Sequence, residues 1–266
     1  MIKTKAFTMA EMLVSLSIIG VIAALTIPAV LYNTEKKANQ ALLKKALTKL
    51  DTAVEMAYTE SQFQPFNCYY WENGSPTNCR AVEKRDEDGK VLGWEYKDCA
   101  PDENPNGKFG NCENFYNYLK NNLKTAKVCD NNAFANGCAP NYKGKDTVYE
   151  ANNPKPGDDA TEEEKKQWEV NKANSIVGCG GWSYEEMKKK PAIVTSDGMI
   201  FLPYSLGIPI YAIDVNGKKG PNRFGYDVFF LQLKGTDETI PGFSAGGCEF
   251  LEKGGVTTYT MLNGAF

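Results

Sequence analysis

Residues 1–34 of this chain, MIKTKAFTMAEMLVSLSIIGVIAALTIPAVLYNT, combine a basic start with a long apolar run. No charged side chain occurs from Met12 through Thr34, and a helix of that length extends about 34 Å. Because the hydrocarbon core of a bilayer is about 30 Å thick, this segment predicts a transmembrane helix. Lys3 and Lys5 precede it, and positive charge on the short flank predicts a cytoplasmic N-terminus and an exported remainder.

The helical pattern continues beyond the apolar run. Apolar residues recur at spacings of three and four in the next segment, at Leu43, Leu47, Leu50, Val54 and Ala57. One helix is therefore expected over residues 7–60, with a transmembrane part at about 12–34 and an amphipathic part that packs on a globular domain. Pro28 removes one backbone hydrogen bond, so we expect a kink or a local break there. A secretory signal peptide is the first alternative, but its apolar region ends at a cleavage site followed by an unrelated segment.

Composition excludes several classes of function. With 30 basic and 33 acidic residues the formal net charge is −3, so no broad positive field favours nucleic acid, and no nucleic-acid partner is expected. Histidine is absent, which removes Ser-His-Asp and Cys-His nucleophiles and His-ligated zinc. The chain is therefore not expected to be an enzyme.

The cysteines predict disulfide bonds. All eight follow the hydrophobic segment and none forms a CxxC pair: Cys68, Cys79, Cys99, Cys112, Cys129, Cys138, Cys179 and Cys248. An even number of cysteines in an exported region is typical of a disulfide framework. Reduced cysteines buried as small apolar residues are the alternative, and the spacings leave the pairing open.

From residue 191 onward, short apolar runs between turn residues predict β-strands at 192–195, 199–202, 209–213 and 227–233. The pair Asp197-Gly198 suits a tight hairpin turn between the first two runs. Consecutive strands with short links form an antiparallel meander, which the amphipathic part of the N-terminal helix can cover. The predicted fold class is therefore α+β, a long N-terminal helix packed on a C-terminal antiparallel β-sheet.

Between the helix and the sheet, residues 61–153 are rich in cysteine and turn-forming residues and predict an irregular, disulfide-rich region. A short helix is expected inside it at 113–127. Residues 154–266 contain the remainder: a polar linker that ends near Asp159, a helix that begins with a capping box at Thr161, and the sheet region.

The N-terminal residues 5–14, KAFTMAEMLV, with the apolar run that follows, resemble the processing site of type IV pilins and type II secretion pseudopilins. In that family prepilin peptidase cuts on the cytoplasmic side just before a Phe, usually after a Gly, and the new N-terminus is often methylated. The resemblance implies a cut between Ala6 and Phe7, with residues 1–6 as the leader, although Ala6 stands where glycine is usual. Glu11 becomes the fifth residue of the mature chain, where the family carries its glutamate. An ordinary signal anchor with an accidental Glu11 is the alternative.

Physical chemistry supports a role for Glu11 in assembly. A carboxylate inside a membrane costs a few kcal/mol and is normally kept because it meets a partner. Cleavage exposes the α-amino group of Phe7, and in the family the glutamate is thought to match the free terminus of an adjacent subunit. The resemblance therefore implies, as partners, other pilin or pseudopilin subunits, the inner-membrane assembly platform and membrane lipid. It also implies a single-pass protein of the bacterial inner membrane with a periplasmic or extracellular C-terminal domain.

The connection at 214–227, DVNGKKGPNRFGYD, also resembles a pattern in the C-terminal sheets of several bacterial pseudopilin-like proteins: Asp-x-Asn-Gly, Gly-Pro-Asn and Gly-x-Asp. Asp214, Asn216, Asn222 and Asp227 are oxygen donors of the kind that a Ca²⁺ site needs. The same residue types form ordinary long connections, so a purely structural loop is the alternative. No other cofactor is expected.

Two functions from different classes follow from the sequence. The first is a non-catalytic pilin-like subunit, a minor pseudopilin or pilin, that assembles through its N-terminal helix into a type II secretion pseudopilus or a type IV pilus-like filament. The second is a membrane-anchored exported binding module or enzyme that uses a pilin-like anchor. Dependence of filament assembly on Glu11 distinguishes them, because an anchored enzyme has no use for that carboxylate.

Overall fold

The computed structural model of the chain describes residues 9–60, 80–97, 113–205, 208–234 and 242–264. The leader at 1–6 and the residues of the expected cut, Ala6 and Phe7, lie outside these ranges, as do Cys68, Cys79, Cys99 and Cys112. The predictions made for them stay predictions. Within the described ranges the protein is α+β, as the sequence predicts.

A single helix, α1 (Met9–Glu60), contains both the apolar run and the amphipathic segment. It continues through Pro28 without a break, so the expected local break is absent there, whereas the kink stays a prediction. Four hydroxyls in its first half donate to the carbonyl four residues earlier at 2.8–2.9 Å: Ser15, Ser17, Thr26 and Thr34. These polar side chains are therefore satisfied inside the helix, as a bilayer requires.

The second half of α1 buries one face against the protein. Leu43, Ala46, Leu50 and Val54 are fully buried, and their spacing places them on one side of the helix. Burial of each leucine side chain contributes about 2 kcal/mol to the free energy of unfolding. Leu47, which the sequence pattern also placed on this face, is only partly buried.

A six-stranded sheet forms the core of the globular part, in the order β3-β4-β5-β6-β7-β8 with every neighbouring pair antiparallel. Its strands are β3 (Thr125–Cys129), β4 (Ala192–Thr195), β5 (Ile200–Ser205), β6 (Ile208–Asp214), β7 (Val228–Lys234) and β8 (Gly242–Ala245). The edge strand β8 is held by α1, because Asp51 Oδ1 accepts a hydrogen bond from the Phe243 N–H at 2.7 Å. Such a contact leaves less of the sheet edge open to other chains.

Both faces of the sheet are covered, because alternate residues along each strand point to opposite sides. Phe201 and Phe229 lie in the cluster that includes the buried face of α1. Ile200 and Phe230 lie in a second cluster, together with the fully buried Trp182. The sheet is therefore the middle layer between α1 and the loops and short helices of the opposite side.

The four strands predicted beyond residue 191 are confirmed, with the hairpin turn at Asp197-Gly198. Two strands of the sheet were not predicted. β8 is short, and β3 begins where the sequence placed the end of a helix at 113–127. That helix, α2 (Glu113–Asn122), is three turns long, and the residues from Thr125 pair with β4 instead. Pairing with a distant strand outweighs local helical spacing here.

The expectation of an irregular region at 61–153 holds for residues 130–144, which form loops closed by the Cys129–Cys138 disulfide, and is wrong for most of the other described residues of this range. Besides α2 and β3 they contain a hairpin of β1 (Arg80–Arg85) and β2 (Val91–Lys97) and a helix α3 (Lys145–Asn152). The hairpin turn is held by Asp86, whose Oδ1 accepts hydrogen bonds from the Asp88 and Lys90 N–H groups. Such an Asp-centred turn is local chemistry that a search for apolar periodicity does not detect.

The remaining helices are short. The capping box at Thr161 is confirmed, since its hydroxyl accepts from the Glu164 N–H at 3.2 Å and the Glu164 carboxylate accepts from the Thr161 N–H at 2.8 Å. It begins α4 (Glu162–Ser175), where the sequence predicts a helix. Two others were not predicted, α5 (Tyr184–Lys189) and α6 (Thr258–Asn263).

Two disulfide bonds occur among the described residues, Cys129–Cys138 and Cys179–Cys248. The first joins the end of β3 to the loop that follows it. The second joins residues 69 positions apart, a turn before α5 and the segment after β8. The predicted disulfide chemistry is therefore confirmed for these four cysteines, and the reduced alternative is wrong for them.

Two turns of the sheet approach each other closely through glycine. Gly217 has a positive φ of 64°, and a Cβ built on it would lie 2.1 Å from the Gly198 carbonyl oxygen. Gly198 also has a positive φ, 89°, but a Cβ there would meet no atom within 4 Å. Only glycine therefore fits at position 217 without movement of the backbone.

We predict that Gly217→Ala lowers the free energy of unfolding clearly more than Gly198→Ala. Both changes impose a left-handed backbone on alanine, at a cost of about 1–2 kcal/mol, whereas only the first also forces a backbone clash. Thermal and denaturant unfolding of the full-length protein in detergent, followed by circular dichroism, measure the difference. Equal losses in the two variants would show that the close approach of the turns contributes nothing.

Candidate functional site

The first half of α1 exposes its apolar side chains. The large ones between residues 9 and 31 are more than half exposed: Met9, Met12, Leu13, Val14, Leu16, Ile18, Ile19, Val21, Ile22, Leu25, Ile27, Val30 and Leu31. A core helix of a soluble domain would bury such a face against its own chain. The helix is long and apolar enough to cross a membrane, and its most apolar stretch is not buried within the protein.

Glu11 lies in the first described turn of α1 and is exposed there, with Met9 and Met12 beside it in the chain. The structure therefore places the acid at the start of the apolar helix, as the sequence predicts. Its expected partner, the α-amino group of Phe7 after cleavage, lies outside the described residues.

The second candidate is the connection between β6 and β7, residues 214–227. It begins and ends with fully buried carboxylates, Asp214 and Asp227. A backbone hydrogen bond closes the loop where its two ends meet: the Val215 N–H donates to the Asp227 carbonyl oxygen at 2.9 Å. The connection is thus a closed loop with both acids inside its base.

Asp214 has only partly satisfied oxygens. Its Oδ2 accepts a hydrogen bond from the Tyr142 hydroxyl at 2.7 Å, whereas its buried Oδ1 makes no hydrogen bond of good geometry, with the backbone N–H groups of Asn216 and Gly217 near the carboxylate. Burial raises the pKa of Asp214 to about 7, and the nearby Asp227 charge adds to this, although the bond from Tyr142 opposes it. A large share of Asp214 is therefore protonated near neutral pH.

Asp227 organises the loop backbone. Its Oδ2 accepts from the Asn222 N–H at 2.8 Å and its Oδ1 accepts from the Arg223 N–H at 2.7 Å. Burial raises the pKa of Asp227, and these two backbone bonds oppose the rise. Both oxygens are engaged in holding the turn, which is a structural role.

The side-chain amides of Asn216 and Asn222 differ in whether their oxygen is available to a ligand. The Asn216 Nδ2 donates to the Gly220 carbonyl at 3.0 Å, and its Oδ1 is buried without a partner. With its amide oriented to suit its neighbours, Asn222 Nδ2 donates to the Gly217 carbonyl at 2.9 Å and to Asp214 Oδ2 at 3.1 Å. Asn222 thus acts as a donor inside the loop and does not present an oxygen to it.

These contacts decide which atoms could hold a cation. Calcium takes about six to eight oxygen ligands, and the loop keeps two buried oxygens without a hydrogen bond of good geometry, Asp214 Oδ1 and Asn216 Oδ1. The other two residues of the predicted set, Asn222 and Asp227, are engaged in holding the loop. No cluster of three or more His, Cys, Asp or Glu side chains suited to a metal occurs in the described ranges. Calcium at this loop stays a prediction, and the contacts favour the structural alternative.

Tyr142 is a member of this site that the sequence analysis missed. It is 72 residues away from Asp214 in the chain, in the segment before α3, and its ring is almost fully buried. Burial raises the pKa of the Tyr142 hydroxyl, and the Asp214 charge adds to the rise, so it remains a hydrogen-bond donor. Nothing in its local sequence marks this role, because only the folded sheet brings the two residues together.

Comparison with known proteins adds no family assignment. No family model, no curated protein and no solved structure matches this chain significantly. The described residues define a class in structural terms: an α+β protein with an N-terminal helix that is able to span a membrane and a disulfide-bonded domain built on an antiparallel sheet.

We predict a pH dependence of stability that comes from Asp214. Its pKa is about 7 in the folded protein and near 3.8 when unfolded, so the folded state binds a proton that the unfolded state has lost. This contribution is fully present below about pH 4 and is lost as the pH rises through about 7.

The variant Asp214→Asn keeps an acceptor for Tyr142 and lacks the titration. Its free energy of unfolding should fall less between pH 4 and 7 than that of the wild type, by on the order of a few kcal/mol, since one pKa unit corresponds to about 1.4 kcal/mol. Denaturant unfolding across this pH range measures both proteins. Parallel pH profiles would show that Asp214 titrates in its ordinary range.

The calcium hypothesis makes a separate prediction. A site that uses Asp214 Oδ1 and Asn216 Oδ1 must raise the unfolding temperature of the wild type when Ca²⁺ replaces a chelator at pH 8, because a ligand bound only by the folded state stabilises it. The rise should be absent in Asp214→Asn, and Mg²⁺ serves as the control ion. An unchanged unfolding temperature in the wild type would leave the loop with its structural role alone.

Proposed function

We propose that this chain is a non-catalytic pilin-like subunit, a minor pseudopilin or pilin, that assembles through α1 into a type II secretion pseudopilus or a type IV pilus-like filament. The observation that carries the proposal is the division of α1. Its first half exposes an apolar surface with Glu11 in the first turn, and its second half is buried against an antiparallel sheet. In the proposed subunit, one continuous helix joins the membrane segment to the exported domain.

This arrangement suits a subunit that leaves the bilayer during assembly. The apolar side chains of residues 12–31 need a new apolar environment when they leave lipid, and the same surface on neighbouring subunits provides one. In the proposed sequence of events, prepilin peptidase removes residues 1–6, and the Glu11 carboxylate of an incoming subunit pairs with the Phe7 α-amino group of its neighbour. The inner-membrane assembly platform supplies the work of extraction.

The chemistry of the exported domain agrees with a role in structure and recognition. The sequence contains no histidine, and the two buried carboxylates of the β6–β7 loop bond to Tyr142 and to loop backbone. The proposed location is the bacterial inner membrane, with this domain in the periplasm or outside the cell. A disulfide-bonded domain fits such a compartment.

We predict that Glu11→Ala spares membrane insertion and leader cleavage but impairs recruitment into a filament. Recruitment should fall on the order of tenfold or more, because the variant leaves the neighbour's α-amino group without its partner in an apolar setting. The measurement is the amount of variant that co-purifies with filaments from cells in which all other subunits are unchanged. The matched control is Ser15→Ala, which removes a polar group one turn later on the same helix without changing the charge.

Mass spectrometry of the mature N-terminus tests the first step independently. A chain that begins with methylated Phe7 supports the proposal, whereas an uncut Met1 contradicts it. Unimpaired co-assembly of Glu11→Ala would contradict the assembly role and favour the alternative, an exported binding module or enzyme on a pilin-like anchor.

A further inference from the structure

The globular part meets α1 at the end of its apolar half. Asn39 Nδ2 donates to the Tyr226 carbonyl at 3.1 Å, and the Asn39 side chain is buried by this contact. Tyr32 and Lys36 line a small cleft with Pro221 and Tyr226 of the β6–β7 loop. This end of the domain therefore faces the membrane segment.

The separation between Thr34 and Asn39 along α1 is short enough to place this end of the domain in the lipid head-group layer. Thr34 ends the uncharged run and Asn39 follows five positions later, which is about 7.5 Å along a helix. The polar layer between the hydrocarbon core and bulk water is about 5–8 Å thick on each side of a bilayer. When the apolar half of α1 crosses a membrane, the loop beside Asn39 consequently lies against lipid head groups.

Aromatic and basic side chains are concentrated at this place. The Arg223 guanidinium carbon lies 4.3 Å from the centroid of the Tyr226 ring, and the Tyr226 hydroxyl donates to the Lys253 carbonyl at 2.8 Å. On α1, Lys36 Nζ lies 5.8 Å from the centroid of the Tyr32 ring. Tyrosines with lysine and arginine are the residues that membrane proteins place at the level of the head groups.

The acids nearby leave the outer surface positive. Glu252 is almost fully buried and bonds to Lys143 Nζ at 2.7 Å and to Arg223 Nε at 3.2 Å, and Asp227 is buried inside the loop. Glu35 is the exposed acid that lines the cleft. With all of these groups counted, four basic side chains, Lys36, Lys143, Arg223 and Lys253, stand against three acids, Glu35, Asp227 and Glu252.

We propose that the membrane-proximal patch, formed by Tyr32, Lys36, Pro221, Arg223, Tyr226 and Lys253, binds the head groups of anionic phospholipids. The tyrosine rings lie at the polar boundary and the basic groups contact lipid phosphates, which draws the domain onto the leaflet from which α1 emerges. The proposal goes beyond the proposed function, because it requires insertion of α1 but no filament. It sets an orientation for the domain in the membrane.

Lysine labelling of the full-length protein tests the proposal. The protein is reconstituted into vesicles of phosphatidylcholine alone or of equal parts phosphatidylcholine and phosphatidylglycerol, and treated briefly with an uncharged acetylating reagent. Mass spectrometry gives the labelling rates of Lys253 in the patch and of Lys124, an exposed lysine beside Met56 of α1. Met56 is 17 positions beyond Asn39, about 25 Å along the helix, so Lys124 is the matched control on the same side of the membrane.

We expect Lys253 to label about fivefold more slowly in the anionic vesicles, the protection that one basic group near such a surface implies. High salt should restore its rate, and Lys124 should label equally in both lipids. Equal rates for Lys253 in both lipids, with the protein retained in the vesicles after alkaline washing, would overturn this proposal alone. Equal protection of Lys253 and Lys124 would also overturn it, since that result reports the surface potential of the vesicle and no contact of the patch. Loss of the protein during washing would overturn the membrane anchor itself, and with it both proposals.

Discussion

The burial of one face of α1 against the β-sheet is the contact on which the rest of the structure depends. It joins a helix half that is long and apolar enough to cross a membrane to the globular domain, with no linker between them. Because Leu43, Leu50 and Val54 are fully buried in that contact, the position of the apolar half of α1 relative to the domain is determined by core packing. Any force on the apolar half of α1 is therefore transmitted directly to the sheet.

The β6–β7 loop lies at the end of the domain nearest the apolar half of α1. Asp227 holds its backbone, Asp214 joins it to Tyr142, and Tyr226 meets α1 at Asn39. Burial of two carboxylates costs free energy unless they are hydrogen-bonded or protonated. Asp227 is hydrogen-bonded to the loop backbone, and the raised pKa of Asp214 favours its protonated form. The same segment thus carries the acids that shape it and the aromatic and basic side chains that it presents outward.

Much of the fold could be predicted because its signals are local. The uncharged run, the apolar spacing of residues 43–57 and the Asp-Gly turn at 197–198 each depend on neighbours in sequence. β3 and β8 could not be predicted in this way. Both are short, and each forms by pairing with a strand that is already in place, β4 for the first and β7 for the second. A strand of this kind depends on the sheet more than on its own residues.

The candidate sites also combine features that local sequence predicts with features that depend on the fold. The order of residues along the chain is enough to put an acid at the start of an apolar helix and to put Asp214, Asn216, Asn222 and Asp227 in one loop. The roles of those residues depend on the folded sheet. The fold brings Tyr142 to Asp214, engages both oxygens of Asp227 with the backbone, and places Arg223 and Lys253 beside Tyr226, whose carbonyl meets α1 at Asn39. The physical reason is that burial, hydrogen-bond partners and charge balance are set by residues far apart in sequence, which meet only when the sheet has formed.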